Sequence, residues 1–460
     1  MVFQINGNSE DYNLNDLDLN TKIKDSDTVL YEEKINVSFL VFTYPINVTK
    51  LNLIDDNYYQ IESILKNKKD NITVSSSYTF KKIKNIKRHV SFDQYGRMFV
   101  DDELFFPLGI YLSDVKESDL IEVNKTHFNV ILPYSQLDKK VMDMIYTTQQ
   151  GKLKVIYSLK SLYTLDSEKC SDLNEEENYV KFVNKVNEFK DHPNLLSWYI
   201  NDEYPFCLNR NLRNRTLSIH ELDPNHPSYS VLCYPQEVNQ LMNSTDIMGL
   251  DMYPIGVSSI KKVYEYNEIT YNQILESKPM IPVVQIFDWA YYYWNRGQTD
   301  FESSPPTLEE MRNMSWQTLV AGGKGIIFYS FLDLFRMNET SLFENRWKDI
   351  IEFTNEIWKY KNVILSIDKV DEIEYNQNYN IKYKQWKYNN SNYVVFVNLE
   401  RNEEICKINL LDKYEINKEF GLGTFKENGT EIILNLEPID VIMMKFKEIK
   451  KQYSNNSEEE

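Results

Sequence analysis

The chain has 460 residues and a formal net charge of −18, with 42% hydrophobic and 14% aromatic residues. This composition suffices for packed cores and excludes global disorder, and the length predicts two or three domains, one of which could be a large barrel. The acidic balance argues against nucleic-acid binding, which needs a basic face, and no apolar run is long enough to insert into a membrane.

Residues 1–95 have the pattern of a β-rich region. The stretches "INVSFLVFTYPINV" and "NITVSSSYTF" are β-branched and are interrupted by polar turns. The first thirty residues are acidic and rich in Asn, so we expect them to be loose. Further along, "FDQYGRMFVDDE" predicts two hairpin-like turns, around Tyr95-Gly96 and Asp101-Asp102.

Residues 96–366 alternate short apolar runs with helical patterns. The predicted strands are eight: 105–112, 129–134, 154–160, 195–203, 228–234, 247–254, 282–289 and 324–331. One intervening helix has a predicted capping box, Thr307 with Glu310, and a predicted stop at Gly322-Gly323. Eight strand–helix units predict a (β/α)₈ barrel of the α/β class. An open doubly wound sheet is the alternative, but its G-x-G-x-x-G turn does not occur in the chain.

Residues 367–448 return to strand patterns, such as "NYVVFVNLE" and "IDVIMMKF", and predict a C-terminal antiparallel β-sandwich. The charged tail, 449–460, is expected to be disordered.

Cysteines and glycosylation sequons bear on the compartment. There are four cysteines, and Cys207 with Cys233 follow neighbouring barrel strands, so a disulfide and two free thiols are both open. Eleven N-x-S/T sequons are present, which favours a secreted, extracellular or lumenal glycoprotein, although the N-terminus does not have the pattern of a secretory signal.

The ends of the predicted barrel strands should carry the active site. The residues there are carboxylates, amides and aromatic rings: Tyr111, Tyr134, Asn201, Asp202, Glu203, Asp251, Tyr253, Gln285, Asp288, Trp289 and Tyr329. No His ends a strand, and no G-x-S-x-G, H-E-x-x-H or P-loop motif occurs, so esterase, protease and kinase activities lose support. Paired carboxylates with aromatic platforms are typical of glycoside cleavage, which needs no metal or organic cofactor.

The ordered series "FDQYGRMFVDDELFFPLGIYL", "HFNVILPY", "LLSWYINDEYP" and "PTLEEMRNMSWQTLVAGGKGIIFYSF" resembles the barrel of clan A glycoside hydrolases, especially β-galactosidase-like members with flanking β-domains. The resemblance implies that Glu203, at the end of strand four, is the general acid/base, with Asp202 where the clan usually has Asn. It also implies a Glu nucleophile at the end of strand seven, and there this sequence has Gln285.

Three explanations of that departure stay open. Another carboxylate replaces the nucleophile: Asp251, Asp288, or the pair Glu302 and Glu309. Alternatively the substrate supplies its own nucleophile, because Asp202-Glu203 is similar to the Asp-Glu pair of N-acetylhexosaminidases. Neighbouring strand residues point to opposite sides, so this second explanation requires the strand to end or bulge there. In the third explanation the site is inactive.

We therefore expect a glycoside hydrolase acting on an oligo- or polysaccharide. Glu203 is the predicted general acid/base, Asp202 and Asn201 orient the sugar or the acid, and Asp251 is the second catalytic candidate. Trp289 is expected to stack on the sugar, and the other strand-end residues are expected to line the pocket. A catalytically silent carbohydrate-binding scaffold and a transglycosylase are the alternatives, and the sequence does not indicate an oligomeric state.

Overall fold

The computed structural model describes residues 2–4, 13–37, 41–44, 46–82, 88–166, 171–334, 340–371, 373–376, 378–410 and 414–448. The chain divides into two compact units, Met1–Arg88 and His89–Glu460. The tail predicted to be disordered, 449–460, lies outside the described residues.

The first unit is built on antiparallel strands. Its strands are β1 (Val2–Gln4), β2 (Leu17–Asp25), β3 (Thr28–Asn36), β4 (Val41–Thr43), β5 (Tyr58–Asn67) and β6 (Thr73–Lys81). β1 pairs with β4, and the other four form a sheet in the order β3-β2-β5-β6. Short 3₁₀ helices span Leu14–Asp16 and Val48–Leu51.

The expectation of a loose N-terminus was wrong for residues 17–30. In β2, buried Leu17, Leu19, Thr21 and Ile23 alternate with polar residues that are more exposed. This period of two is the pattern of a half-buried strand, and it outweighs the acidic composition of the segment.

The second unit begins with a three-stranded antiparallel sheet of β7 (Val90–Phe92), β8 (Met98–Val100) and β9 (Glu103–Phe105). The two predicted hairpin turns connect these strands. Gly96 has φ 71°, and Asp101 and Asp102 have φ 51° and 69°, so both turns use left-handed backbone, which Gly and Asp tolerate better than most residues.

Eight parallel strands of the described chain form the barrel, and the predicted fold class is confirmed. They are β10 (Leu108–Leu112), β11 (Val130–Pro133), β12 (Lys154–Ser158), β15 (Leu195–Asp202), β16 (Ser228–Leu232), β17 (Ile247–Leu250), β18 (Val283–Gln285) and β19 (Ile326–Tyr329). Isolated parallel bridges, Met248 with Met280 and Asp251 with Val283, connect the two ends of the sheet. A small hairpin of β13 (Leu165–Asp166) and β14 (Ser171–Asp172) follows β12.

Helices connect the barrel strands. They are α1 (Glu117–Val123), α2 (Lys139–Gln149), α3 (Glu175–Phe189), α4 (Asn209–Leu222), α5 (Val238–Leu241), α6 (Lys262–Ile274), α7 (Trp289–Asn295), α8 (Leu308–Val320) and α9 (Thr340–Ile364), with 3₁₀ turns at Phe206–Leu208, Pro235–Glu237, Met242–Ser244 and Leu332–Leu334. The predicted Thr307–Glu310 capping box begins α8. No helix of the described chain has the length and apolarity that a membrane span needs.

The C-terminal strands form the predicted sandwich of two antiparallel sheets. The strands are β20 (Ile373–Tyr375), β21 (Ile381–Tyr388), β22 (Ser391–Asn398), β23 (Glu404–Leu410), β24 (Tyr414–Phe420), β25 (Thr424–Asn428), β26 (Glu431–Leu436) and β27 (Val441–Glu448). The sheet orders are β20-β23-β26-β25 and β21-β22-β27-β24. Alternating apolar residues fill the space between the sheets, including Val394, Phe396, Ile408 and Leu434.

The sandwich packs directly on the barrel through α8. The buried Asn313 side chain donates hydrogen bonds to the backbone oxygens of Asn398 and Ile439, both at 2.8 Å. Val395, Val397 and other residues of the sandwich join the main core of the barrel. Barrel and sandwich therefore share one continuous apolar core.

The structure shows both a disulfide-bonded cysteine and free thiols. Cys207 is disulfide-bonded, whereas Cys233 and Cys406 are free thiols. The Cys207–Cys233 pair that the sequence left open is therefore not formed.

Candidate active site

A sharp turn at the end of β15 positions Glu203. The pairing of β15 with β16 shifts register between Tyr199 and Asn201, and β15 ends at Asp202. Glu203 then has φ 59°, a left-handed conformation that is uncommon for Glu. The buried Asn201 side-chain oxygen accepts a hydrogen bond of 2.8 Å from the Tyr204 backbone N–H. The bulge and strand end that the sequence required at Asp202-Glu203 are both present.

The Glu203 carboxyl lies beside that of Asp251, which directly follows β17. Glu203 is an exposed residue, whereas Asp251 is 6% exposed. Burial raises the pKa of Asp251 well above its ordinary value, and the charge and hydrogen bond of Glu203 raise it further. A hydrogen bond from Tyr253 opposes that rise. The raised pKa favours the protonated form of the buried Asp251 carboxyl beside Glu203.

Asp202 is held by three groups that converge on its carboxylate. Tyr134 donates its hydroxyl hydrogen bond at 2.8 Å, the Lys160 ammonium forms an ion pair, and the Tyr199 hydroxyl also donates. The Lys160 side chain is 8% exposed and that of Asp202 is 18% exposed. Burial lowers the pKa of Lys160, and the Asp202 charge counteracts this effect. Asp202 therefore balances a nearly buried cation.

Tyrosines lie near Asp202, Glu203 and Asp251 at the C-terminal end of the barrel. Tyr111 is buried and donates to the Tyr199 hydroxyl at 3.2 Å, while Tyr134 is 41% exposed. The rings of Tyr253 and Tyr329 are stacked with centroids 5.7 Å apart, and Tyr111 meets Tyr329 edge to face at 5.1 Å. The structure thus brings the four predicted pocket tyrosines together in one aromatic layer.

The residues after strand seven are engaged with backbone groups. Gln285 is fully buried, donates to the oxygens of Ile255 and Phe287 at 3.0 Å each, and accepts from the Ile255 N–H at 2.8 Å. Asp288 caps α7 by accepting from the Ala290 N–H at 2.9 Å. Neither side chain is placed as the nucleophile position of the resemblance would require.

Trp289 begins α7, so the predicted strand 282–289 was wrong beyond Gln285, where β18 ends. Its indole N–H donates to the Tyr253 backbone oxygen at 3.0 Å, and its ring packs edge to face on Phe287 with centroids 5.0 Å apart. The ring is partly exposed. Of the further carboxylate candidates, Glu302 and Glu309 are exposed on the loop before α8 and on its first turn.

Two groups near the carboxylates were missed in the sequence. Lys160 lies two residues beyond the end of β12, at the expected active-site edge, so its position was a usable signal. The free thiol of Cys233 lies close enough to Glu203 and Asp251 that their charges add to burial in raising its pKa. Among the described residues, no cluster of three His, Cys, Asp or Glu side chains is arranged to hold a metal ion.

Comparison with known proteins bears on the fold. No family model matches the chain, and no curated protein matches it either. Similar solved structures include the Parabacteroides merdae β-glucuronidase (TM-score 0.39, 10% identity, 95% of this chain and 72% of that one). They also include an α-amylase from H. orenii (0.46, 9%, 74% and 99%) and a putative β-galactosidase from Bacteroides fragilis (0.42, 10%, 92% and 65%). The eight-stranded parallel barrel that the resemblance predicts is present in the described chain.

Proposed function

We propose that this protein is a glycoside hydrolase acting on an oligo- or polysaccharide, with Glu203 as its general acid/base. The observation that carries the proposal is the contact between the exposed Glu203 carboxyl and the buried Asp251 carboxyl, at the ends of strands four and six. Strand ends are where barrel enzymes hold their reacting groups. Two carboxyl groups that share a proton provide an acid and a base at one point.

Proton transfer follows from the difference in burial. Asp251 holds the proton, and Glu203, which is exposed, passes it to the glycosidic oxygen as the bond to the anomeric carbon breaks. The bonding electron pair leaves with that oxygen. A water oxygen then bonds to the anomeric carbon, and the proton released from the water returns to the carboxyl pair.

The attacking group in this proposal does not come from strand seven, because the amide of Gln285 is committed to backbone hydrogen bonds. Water or a 2-acetamido group of the substrate takes that role. Asp202 acts as a positioning residue, since it holds Lys160 and two tyrosine hydroxyls. Trp289, Tyr253 and Tyr329 supply the flat apolar faces on which a sugar ring stacks.

A catalytically silent carbohydrate-binding barrel is the second candidate, and one observation favours it. Retaining and inverting hydrolases separate their carboxyl groups by about 5–5.5 Å and about 6.5–9.5 Å. The Glu203 and Asp251 carboxyls lie beside each other instead. Substrate-assisted hydrolysis needs no such separation, so an N-acetylhexosaminide is the substrate class that reconciles this contact with catalysis.

A panel of aryl glycosides that includes N-acetylhexosaminides tests the proposal. Wild type is compared with Glu203→Gln and with Glu177→Gln, a matched change on the exposed face of α3. We expect hydrolysis by wild type and Glu177→Gln, and a loss of about 10²-fold or more in Glu203→Gln. Equal hydrolysis by all three would refute the role of Glu203. Binding of glycans without hydrolysis by any of them would establish the silent scaffold.

We further propose that the protein is secreted and glycosylated. The disulfide at Cys207 fits an oxidising compartment. Eight of the sequon asparagines in the described part of the chain are exposed: Asn36, Asn47, Asn71, Asn124, Asn214, Asn243, Asn389 and Asn428. The test is the mass of protein isolated from its own cells, before and after treatment with a glycan-removing enzyme. A loss of mass would support glycosylation, and an unchanged mass would contradict it.

A further inference from the structure

A second cavity lies at the end of the barrel opposite Glu203. It has a volume of about 260 Å³ and is enclosed by the β7–β8 turn, the connections that precede β18 and β19, and β21 of the sandwich. Three lysines line it, Lys278, Lys324 and Lys384. In a chain of net charge −18, such a concentration of cations in one cavity calls for a physical explanation.

None of these lysines makes a salt bridge with a residue in the described part of the chain. The Lys278 ammonium group donates to the Thr245 backbone oxygen at 2.7 Å. Lys384 has only a long contact of 3.5 Å with the Leu319 oxygen, and the Lys324 side chain has no hydrogen bond among the described residues. Burial lowers the pKa of both, and their mutual proximity lowers the pKa of Lys384 further, to about 7.

The acids of the cavity lie at its rim. Glu276 and Asp368 are both exposed residues. Asp93 attracts Lys324, and Glu276 attracts both lysines. The interior therefore holds two lysines whose desolvation is not offset by a contacting carboxylate in the described part of the chain.

The walls between the lysines are aromatic and close-packed. Gly322 has φ 125°, and a Cβ there would stand 2.4 Å from the Tyr271 ring, so this glycine allows the ring to lie against the turn before β19. Buried Trp386 lies beyond Lys384, whose ammonium is 5.8 Å from the indole centroid. Close-packed walls and two lysines without a contacting carboxylate among the described residues are the features of a preformed binding site.

We propose that this cavity binds a small anion that carries a carboxylate or a tetrahedral oxyanion, held between Lys324 and Lys384. The volume limits the ligand to about the size of one monosaccharide unit, so an acidic sugar residue and an inorganic oxyanion are the two sources of this chemistry. The site lies at the N-terminal ends of the strands, and its function is binding. It does not depend on the proposed hydrolase activity.

Isothermal titration calorimetry with sodium glucuronate, sodium sulfate and sodium phosphate tests the proposal, at an ionic strength held constant with sodium chloride and with glucose as the neutral probe. The test variant is Lys324→Gln/Lys384→Gln. The control is Lys125→Gln/Lys139→Gln, which removes the same charge from exposed ends of α1 and α2.

We expect at least one of the three anions to bind wild type and the control equally. The affinity should fall at least about tenfold in the test variant, because a hydrogen bond to a charged group contributes about a factor of ten or more. Glucuronate alone would identify an acidic sugar, and sulfate or phosphate alone an inorganic oxyanion. Absence of binding by all three anions, or equal affinity in the test variant, would overturn the proposal. If the test variant does not fold, Lys324→Arg/Lys384→Arg should retain binding, and its failure to bind while folded also counts against the site.

Discussion

The side-chain oxygen of Asn201 accepts a hydrogen bond from the Tyr204 backbone N–H at 2.8 Å, and this contact spans the turn that contains Glu203. Glu203, with its left-handed backbone, lies between the buried Asn201 side chain that accepts this bond and the Tyr204 N–H that donates it. The geometry of the acid depends on its neighbour two residues earlier.

Replacing Asn201 with Ala should therefore affect catalysis more than stability. We expect the free energy of unfolding to fall by about 1–2 kcal/mol, the cost of one lost buried hydrogen bond. Hydrolysis of the best aryl glycoside should fall about 10²-fold, because a displacement of about 1 Å is enough for such a loss. Calorimetry and kcat/KM measure the two effects, with exposed Asn187→Ala on α3 as the control. Unchanged kcat/KM in folded Asn201→Ala would show that the turn does not position the acid.

The stability of Asp251→Asn relative to wild type should increase as the pH rises. The pKa of Asp251 is raised in the folded state above its ordinary value of 3.8, so the folded protein binds more protons than the unfolded chain above that pH. Stability that is present at low pH is then lost as the pH increases toward the raised pKa. Asn does not titrate. The Tm advantage of Asp251→Asn over wild type should therefore grow from about pH 4 to about pH 8.

The matched control for that experiment is Asp191→Asn at an exposed position. Its Tm difference from wild type should not follow the same trend. A constant difference between Asp251→Asn and wild type across the pH range would mean that the Asp251 carboxyl has no raised pKa.

Gln285→Glu restores the residue that the strand-seven resemblance implies, but we expect it to destabilise the fold without creating activity. The new carboxylate would face the backbone oxygens of Ile255 and Phe287, which now accept hydrogen bonds from the amide. Loss of two buried donors costs about 2–4 kcal/mol. Tm and hydrolysis of the aryl panel are the measurements, with exposed Gln240→Glu as the control. A stable Gln285→Glu variant with faster hydrolysis would show that this side chain does reach the substrate.

Lys160→Met should be more harmful than the double variant Lys160→Met/Asp202→Asn. Removing the ammonium alone leaves the Asp202 carboxylate with only its two tyrosine donors. We expect a loss of about 2–3 kcal/mol, somewhat below the range for fully buried pairs because Asp202 keeps some exposure. The double variant should recover part of that loss, and chemical denaturation of wild type, Lys160→Met, Asp202→Asn and the double variant measures the coupling. Additive effects would mean that the two charges do not stabilise each other.

The barrel was predictable from the sequence because each strand is a short apolar run bounded by turns or helix caps. Its pattern is local, as in "KVIYSLK" and "IMGLDMYP". The α7 helix was not predicted, because its aromatic residues have low helix propensity. The only sequence feature that favours it is one residue, the N-cap Asp288.

The candidate site was predictable only in part. Glu203, Asp251 and the pocket tyrosines follow from strand ends, which the sequence locates. The contact between the Glu203 and Asp251 carboxyls depends on the left-handed turn at Glu203. The residue types at this turn do not predict it. The lysine cavity joins residues 278, 324 and 384, which come together only through the packing of sandwich against barrel.

If the protein is secreted as proposed, sugar attachment at the buried sequon of Asn313 would compete with folding. Its side-chain nitrogen, the atom to which an N-glycan is joined, donates to backbone oxygens that lie 85 and 126 residues later in the chain. During synthesis in a compartment that attaches glycans, this asparagine emerges well before its partners exist. A glycan added in that interval would occupy the seam where the sandwich must close on α8. Chains modified at Asn313 would therefore be withheld from the native state, and the yield of folded protein would depend on how quickly the helix is covered.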